Sequence, residues 1–387
     1  MRFEEVYGRF HRSRLSCEDA ADLLCVSVST FGRWRRRYEA EGAEGLYDRR
    51  LGRVSGRRAG VDEVAWVAEQ FRTRYFDLTV KHFHEHLVRD HGFGRSYTWL
   101  KNTLQAEGLA RRAPRRSAHR KKRARRPLPG MMLFQDGSTH RWIPALDREL
   151  DLIATMDDAT GEVYSAFLVE EEGTMSSLVG LAETIAVKGL FSSLYTDRGS
   201  HYFLTPKAGG KVDKEKPTAV GRALAQLGIQ HIPSYSPEAR GRMERLFGTL
   251  QGRWPQELRL AGIATVEAAN RTIRETLLPR HNGQFAVPAA EEGTAFVPYV
   301  GRDLADILCL QEERIVGNDN CVAYKRLHLQ IPPDRHRHHY VKATVRVHEY
   351  PDGSLAVFHG PRLLARYVPD GTAVVAPGKA IKNRSAA

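Results

Sequence analysis

The chain has 387 residues, a length typical of several domains rather than one. Hydrophobic residues make up 42% and charged residues 27%, a composition that indicates a soluble globular protein with enough apolar residues to form cores. No apolar run reaches the roughly eighteen residues that span a bilayer, and the first residues lack the apolar stretch of a signal peptide. Four cysteines without a CxxC pair exclude a disulfide scaffold and disfavour a structural zinc site. We therefore expect a reducing cytoplasm as the compartment.

The formal net charge of +13 lies in the first third of the chain. Residues 1–127 hold 29 Lys and Arg against 16 Asp and Glu, whereas residues 128–387 hold 30 of each. The segment 111–127 carries ten basic residues and no acid. A solvated linker is the alternative, but the flanking segments favour an arm that binds the DNA backbone. The expected phosphate contacts of this arm are Arg111, Arg112, Arg115, Arg116, Arg120, Lys121, Lys122, Arg123, Arg125 and Arg126.

Residues 1–52 are predicted to form a helix-turn-helix DNA-binding domain. Ser16 is a plausible N-cap of a first short helix, and after a break at 25–28 we expect Ser29 to cap a second. Phe31 and Trp34 are expected to face inward while arginines cluster on the rest of the second helix. A generic pair of helices is the alternative, but so many arginines on one short helix favour DNA. The expected contacts are Ser29, Thr30, Arg33, Arg35 and Arg36.

A Gly/Arg linker at 53–60 precedes a second predicted helix-turn-helix domain at 61–110. Its helices are expected at 61–75, 78–89 and 96–104, and Tyr97, Thr98 and Lys101 on the last are candidate DNA contacts. His82, His84 and His86 invite a metal interpretation. On a helix 82 and 86 share a face and 84 does not, so histidines without a metal are favoured.

Residues 128–300 have the pattern of an α/β domain. Strands are expected at 131–136, 150–156, 162–169, 194–197 and 230–235, and helices at 174–187, 218–227 and 240–254. The order is βββαβαβα. Asp157 and Asp158 lie at a predicted turn, where Asp is favoured for backbone reasons.

Residues 301–387 are strand-rich, and Asp352-Gly353 between alternating runs predicts a hairpin. We expect a small antiparallel β-barrel followed by a flexible tail. The stretch RHRHHY at 335–340 could face phosphate or only solvent. The expected chain is therefore multidomain, with all-α helix-turn-helix domains, a central α/β core and a C-terminal β-barrel.

Three carboxylates of the α/β segment occupy positions from which they could converge. Asp136 ends the first predicted strand, Asp197 ends the fourth, and Glu244 lies one position from the apolar stripe of the last helix. Converging acids repel one another unless cations share them. Two Mg²⁺ ions about 3.5–4 Å apart could be held by these carboxylates, and Mn²⁺ could replace them. The alternative is that each acid only ends a strand or faces solvent.

These residues also carry a family resemblance over nearly the whole chain. The sequence resembles bacterial insertion-sequence transposases of the ISNCY type, whose catalytic core is similar to that of retroviral integrases. The motifs are QDGSTH at 135–140, MDDATGEVYSAF at 156–167, TDRGSHY at 196–202 and SPEARGRMERLFGTLQ at 236–251. The resemblance implies a ribonuclease-H-like core whose catalytic, metal-binding DDE triad falls on Asp136, Asp197 and Glu244. The last two are 47 positions apart, wider than is usual in integrase relatives, and the loop 205–217 accounts for the excess.

Further basic residues surround the expected triad. Arg240, Arg242 and Arg245 could grip substrate phosphates or form a solvated helix face. His201 could orient the leaving strand or only contact phosphate.

The expected function is that of a DNA transposase, a polynucleotidyl transferase that binds the terminal repeats of its element, cleaves 3′ ends and joins them to target DNA. The expected partners are double-stranded DNA at both sites and further copies of the chain in a dimer or larger synaptic complex, associated with the bacterial nucleoid. Two alternatives are a catalytically silent DNA-binding regulator and a ribonuclease-H-like nuclease without strand transfer.

Overall fold

The computed structural model describes residues 2–48, 58–112, 124–206, 210–213, 215–235, 241–301, 303–333 and 337–374. The chain divides into two compact units, Met1–Glu69 and Gln70–Ala387. Within the described stretches, no helix has the length and apolar character needed to cross a bilayer. The predicted linker is described only from residue 58, and the expected C-terminal tail beyond residue 374 lies outside the described residues.

The first unit begins with three short helices, α1 (Phe3–His11), α2 (Cys17–Leu23) and α3 (Val28–Glu41), followed by a 3-10 turn at Gly42–Leu46. Val6, Ala20, Ala21 and Phe31 form its small core. Ser16 caps α2 in a capping box with Asp19, as predicted.

The predicted cap of α3 was wrong. Ser27 rather than Ser29 accepts the N–H of Thr30, so the helix starts earlier and Ser29 lies exposed in its first turn. The Val26 N–H donates to Ala21 O at 3.0 Å and closes the turn at this point. Helix α3 therefore begins at residue 28, directly after its N-cap Ser27.

The second helical segment consists of α4 (Val61–Thr73), α5 (Val80–His91) and α6 (Tyr97–Ala106). Thr79 and Ser96 cap α5 and α6 through their hydroxyls. Gly92, in the left-handed region at φ 63°, ends α5. The buried side chains Phe83, Leu87, Leu100 and Leu104 hold α5 and α6 together.

A five-stranded mixed sheet forms the centre of the second unit, in the order β3-β2-β1-β4-β5. The strands are β1 (Leu133–His140), β2 (Leu150–Asp157), β3 (Val163–Val169), β4 (Ser193–Thr196) and β5 (Gln230–Pro233). The first three pair antiparallel, whereas β1 with β4 and β4 with β5 are parallel. With α7 (Thr174–Lys188), α8 (Ala219–Gln226) and α9 (Gly241–Gln251) the order is βββαβαβα. This agrees with the core that the resemblance implies.

Each face of the sheet has its own apolar core. Phe134 and Leu152 pack with Phe247 and Leu250 of α9, whereas Leu133 and Leu194 pack with α7 and α8 on the other face. This division follows from the two-residue alternation of a strand buried on both sides. The first core extends into α10 (Trp254–Leu260), α11 (Val266–Thr272), a π-helical turn at Ile273–Leu277 and α12 (Leu278–Phe285).

The C-terminal region begins with α13 (Leu304–Ile307) and differs from the expected barrel. Strands β6 (Leu310–Ile315), β9 (Thr344–Glu349), β10 (Leu355–His359) and β11 (Arg362–Tyr367) form one sheet in the order β11-β10-β9-β6. The hairpin of β7 (Cys321–Tyr324) and β8 (Leu327–Gln330) is separate, so the described strands do not close into a barrel. Pro332 and Pro333 follow β8 and lack the N–H groups that would extend its pairing. Val322 and Leu329 of the hairpin instead pack against the sheet.

Candidate active site

Parallel pairing of β1 with β4 brings two of the expected acids to adjacent positions. Leu133 is opposite Leu194 and Phe134 is opposite Tyr195. Continuing this register by two residues sets Asp136 beside Asp197, just past the end of β4. The rings of Phe134 and Tyr195 meet edge to face at 5.5 Å, which shows that these positions share one face of the sheet. Asp136 is 8% exposed.

The third expected acid lies on the helix that covers this face. Met243, Leu246, Phe247 and Leu250 of α9 are buried against the sheet, as the apolar spacing predicted for three of them. Glu244 is exposed beside this stripe in the first turn.

Contacts at both ends of α9 fix the helix along β1. Near its N-terminus the Arg242 guanidinium pairs with the carboxylate of Asp158. At its C-terminus Gln251 Nε2 donates to Ser138 Oγ at 2.9 Å. Glu244 lies between these two attachments, on the side of the sheet that carries Asp136.

Tyr202 is buried on the opposite face of the sheet, and several nearby acids affect its pKa. The Tyr202 hydroxyl donates to Gln135 Oε1 at 3.2 Å. Burial raises the pKa of Tyr202 well above its ordinary value, and the negative charges of Glu172, Asp136 and Asp197 raise it further. Tyr202 therefore stays a neutral hydrogen-bond donor beneath the strand ends.

Glu172 is a residue near the site that the sequence analysis missed. Its carboxylate packs against Gly137 so closely that a Cβ there would collide with it. His201 Nε2 lies 3.4 Å from Glu172 Oε1, and Gly199 N–H donates to Asp197 Oδ1 at 2.8 Å. The only local signal was the acidic run 170–172 before α7. His201 is thus held beside an acid, and its contact with DNA remains a prediction.

The donor chemistry of the site fits a divalent cation. Asp136, Asp197 and Glu244 offer carboxylate oxygens, the hard ligands that Mg²⁺ prefers. The expectation that Asp136 ends the first strand was wrong, because β1 continues to His140 and Asp136 lies in its middle. Asp197 directly follows β4, the neighbouring strand, and Glu244 is on the helix over the same face. Few protein ligands suffice, because Mg²⁺ keeps several of its waters.

Arg242 and Arg125 have structural partners in the core. Asp158 is fully buried and receives the Arg242 guanidinium as well as the backbone N–H of Arg126 at 2.7 Å. Arg125 Nη1 donates to the carbonyl of Asp158 at 3.1 Å. Asp158 thus anchors both α9 and the end of the basic arm, which agrees with its expected structural role. Arg245 is exposed.

The expected DNA contacts of the helical segments lie mostly on the surface. Arg33 and Arg36 are exposed on α3, whereas Thr30 is partly buried and Arg35 pairs with Glu39 at 3.6 Å. On α6 Tyr97 and Thr98 are exposed and Lys101 is partly so, and Arg111 and Arg112 are exposed beyond it. The expected contacts Arg115, Arg116, Arg120, Lys121, Lys122, Arg123 and Arg240 lie outside the described residues.

Two of the three histidines of α5 converge on one acid of α10. His82 Nε2 and His86 Nε2 lie 2.9 and 3.1 Å from Glu257 Oε1, so these side chains could in principle hold a metal. His84 is not part of this group, because its Nε2 is 2.9 Å from the Arg95 carbonyl. The predicted division between 82/86 and 84 is therefore seen.

Charge balance disfavours a cation at Glu257. Burial alone would raise its pKa, but the hydrogen bonds from both histidines hold the Glu257 pKa well below its ordinary value. Arg280 and Arg89 lie 3.3 and 3.8 Å from the same oxygen. Arg89 Nε also lies 2.6 Å from Asp90 Oδ1. The two guanidiniums thus balance the two carboxylates, Glu257 and Asp90, even with neutral imidazoles, and a dication would leave two uncompensated positive charges.

Comparisons with known proteins found one family model and relatives among bacterial transposases. A family model described as a homeodomain-like domain matches residues 9–47. The y4bF protein of Sinorhizobium fredii, whose name assigns it as a transposase, is 29% identical over 359 residues, covering 91% of this chain and 77% of that protein. The transposase for insertion sequence IS1202 of Streptococcus pneumoniae is 31% identical over 163 residues, covering 42% of this chain and 34% of that protein.

Two solved structures are similar at low scores. The catalytic core domain of HTLV-2 integrase in complex with magnesium has a TM-score of 0.29 and 16% identity, covering 38% of this chain and 89% of that chain. The simian T-cell lymphotropic virus intasome in complex with a PP2A regulatory subunit has a TM-score of 0.34 and 17% identity, covering 81% of this chain and 100% of that chain.

Proposed function

We propose that this chain binds the terminal repeats of an insertion sequence, cleaves their 3′ ends and transfers them to target DNA. Its similarity to two bacterial transposases and the homeodomain-like match at residues 9–47 support the proposal. Hydrolysis of one phosphodiester bond releases a 3′-hydroxyl at the element end. That hydroxyl then attacks a target phosphodiester bond and displaces the 3′-hydroxyl of the target strand, which joins the element end to the target 5′-phosphate without a covalent protein–DNA intermediate.

The parallel register of β1 and β4 is the observation that carries the proposal. Continued by two residues, the register puts Asp136, in the middle of β1, opposite Asp197, just past the end of β4, and α9, which packs on the same face, carries Glu244. In this proposal the three carboxylates hold two Mg²⁺ ions, which Mn²⁺ can replace. When bound, the ions neutralise the attacked phosphate and activate the hydroxyl nucleophile.

The chain's other residues bind and orient DNA in this proposal. The exposed face of α3, including Ser29, Arg33 and Arg36, contacts one part of the terminal repeat, and Tyr97, Thr98 and Lys101 of α6 contact another. The basic arm adds salt-dependent affinity for the backbone. Two element ends are held by two or more copies of the chain.

The test uses labelled duplexes of the element ends with target DNA and Mg²⁺ or Mn²⁺. The variants Asp136→Asn, Asp197→Asn and Glu244→Gln remove one charge each with little change in shape. We expect nicking and joining to fall by roughly 10²-fold or more, because charge stabilisation of the transition state is lost. Asp147→Asn, at a fully exposed carboxylate, is the matched control and should retain wild-type rates.

A second measurement does not depend on turnover. Mg²⁺ or Mn²⁺ should raise the melting temperature of the wild type and of Asp147→Asn, and should raise that of the three triad variants much less. Wild-type nicking and joining by the triad variants would refute the assignment. Nicked but never joined products would indicate a nuclease, and bound but intact DNA with either ion would indicate a regulator.

A further inference from the structure

The stripe of polar residues on one face of α5 has no part in the proposed chemistry. His82, Glu85, His86 and Arg89 follow i, i+3, i+4 and i+7 spacing and so lie on one side of the helix. Phe83 and Leu87 lie on another side of the helix and are buried, and the Phe83 ring packs against those of Phe71 and Tyr75. A stripe of this kind is ordinarily solvated, yet His82 and His86 are only 2% and 3% exposed.

This stripe is buried against α10 of the catalytic core. We name the contact the α5–α10 junction and define it by three acid–base pairings. Glu257 accepts hydrogen bonds from His82 and His86. Arg253 Nη1 donates to Glu85 Oε2 at 2.7 Å, and Arg259 donates to both carboxylate oxygens of Asp77 at 2.9 and 2.6 Å.

Further directional contacts hold the junction. Gln284 Nε2 of α12 adds a bond to Glu85 Oε1 at 2.8 Å, and the Arg259 guanidinium also lies 4.7 Å over the ring of Phe76. A two-pronged guanidinium–carboxylate bond specifies both distance and angle. Sliding α5 by one turn would leave several partly buried charges unpaired, so the junction favours one register.

Fixed contacts continue from the junction in both directions. Towards the core, Trp254 and Leu258 of α10 are buried in the same cluster as Leu250 of α9, the helix that carries Glu244. Towards the DNA-binding side, His84 Nε2 bonds the Arg95 carbonyl at 2.9 Å and its ring meets that of Tyr97 at 6.0 Å. The orientation of α6 is therefore tied to that of the candidate active site.

From this geometry we propose that the α5–α10 junction sets the distance along DNA between the base pairs contacted by α6 and the bond that is cut. The inference rests on the proposed function. The histidines 82, 84 and 86 are positioning residues: two attach α5 to the core and the third attaches the turn before α6. Because this distance is fixed, the position of the cut depends on where α6 binds and not on the base sequence at the cleaved bond.

The test combines cleavage mapping with hydroxyl-radical footprinting on end duplexes. Duplexes with one or two base pairs inserted between the segment protected by α6 and the normal cut should be cut at an unchanged distance from the protected segment. Tyr97→Ala with Lys101→Ala identifies that segment as the part of the footprint that weakens.

Charge reversal tests the junction itself. Glu85→Arg opposes Arg253 and should spread cleavage over several neighbouring bonds, lowering the share of product at the main bond at least threefold. The double variant Glu85→Arg with Arg253→Glu restores an opposite-charge pair and should restore one main bond. Glu107→Arg makes the same change at an exposed pair in the same helical segment and should leave the cut unchanged.

The outcomes separate the junction from the proposed function. Sharp cleavage in Glu85→Arg, in a protein that melts like the wild type, would overturn the inference. A cut that stays with its own sequence when base pairs are inserted would do the same. If wild type protects DNA but never cuts it, the proposed function fails and the inference fails with it, whereas sharp cleavage by both wild type and Glu85→Arg overturns the inference alone.

Discussion

Replacing Arg242 by alanine separates a structural role from a DNA-binding role at one residue. Its guanidinium, on a side chain 17% exposed, pairs with Asp158, whose side chain is 0% exposed. Removing one partner of a buried ion pair typically costs about 3–5 kcal/mol, because the other charge remains buried. Asp158 keeps the backbone N–H of Arg126, so we expect the lower end, about 3 kcal/mol.

This cost should be visible as a melting shift of the DNA-free protein. In a domain of about 150–250 residues, a loss of about 3 kcal/mol in the free energy of unfolding lowers the melting temperature by about 6–12 °C. Differential scanning calorimetry measures this shift directly. Arg245→Ala, at the exposed arginine of the same helix, is the matched control and should shift it little. Asp158→Asn in the Arg242→Ala background removes the stranded charge and should recover part of the loss.

The two variants should have the opposite order of effects on DNA binding, with the larger effect from Arg245→Ala. In a plot of log affinity for DNA against log salt concentration, Arg245→Ala should reduce the steepness of the slope by about 1 if Arg245 contacts phosphate. Arg242→Ala should leave that slope unchanged. If Arg242→Ala melts like the wild type and reduces the salt slope, the structural argument for Arg242 is wrong.

Three further predictions concern stability. Burial holds the pKa of His281 and His348 at about 4, below the ordinary value near 6.5. The unfolded chain therefore binds more protons, and stability that is complete above pH 6.5 should fall as pH drops towards 4, by at most about 3 kcal/mol for each histidine. A melting temperature that is flat from pH 7 to 4.5 would contradict this. Leu250→Ala, at a fully buried side chain, should lower the unfolding free energy by about 2–5 kcal/mol in denaturant titrations. Ser27→Ala should destabilise the first unit by about 1 kcal/mol through its lost cap, whereas Ser29→Ala should spare stability and weaken DNA binding; equal melting of the two would contradict the cap assignment.

Local patterns were sufficient to predict much of the molecule. The helix start at Ser16 and the strand and helix order of the core depend on neighbours a few residues apart, so periodicity and capping residues predict them. The buried stripe of α9 is local in the same sense, and it correctly indicated which side of the helix faces the sheet.

Errors arose where a local signal had more than one reading. The run SVST at 27–30 contains three hydroxyl residues, any of which can cap a helix. The hydrogen bond from Val26 to Ala21 ends the preceding turn and selects Ser27. Alternating strands likewise predict a β-rich C-terminal region but not whether its edges meet, because closure depends on pairing between distant strands.

Partners far apart in the chain were decided only by tertiary packing. Arg242 and Asp158 are 84 positions apart, and His82 and Glu257 are 175 apart. A basic residue on a helix reads the same whether it faces phosphate or a buried carboxylate, since its own neighbours are identical in both cases. Tertiary packing decides the role, because it brings the buried Asp158 to Arg242 and the partly buried Glu257 to His82.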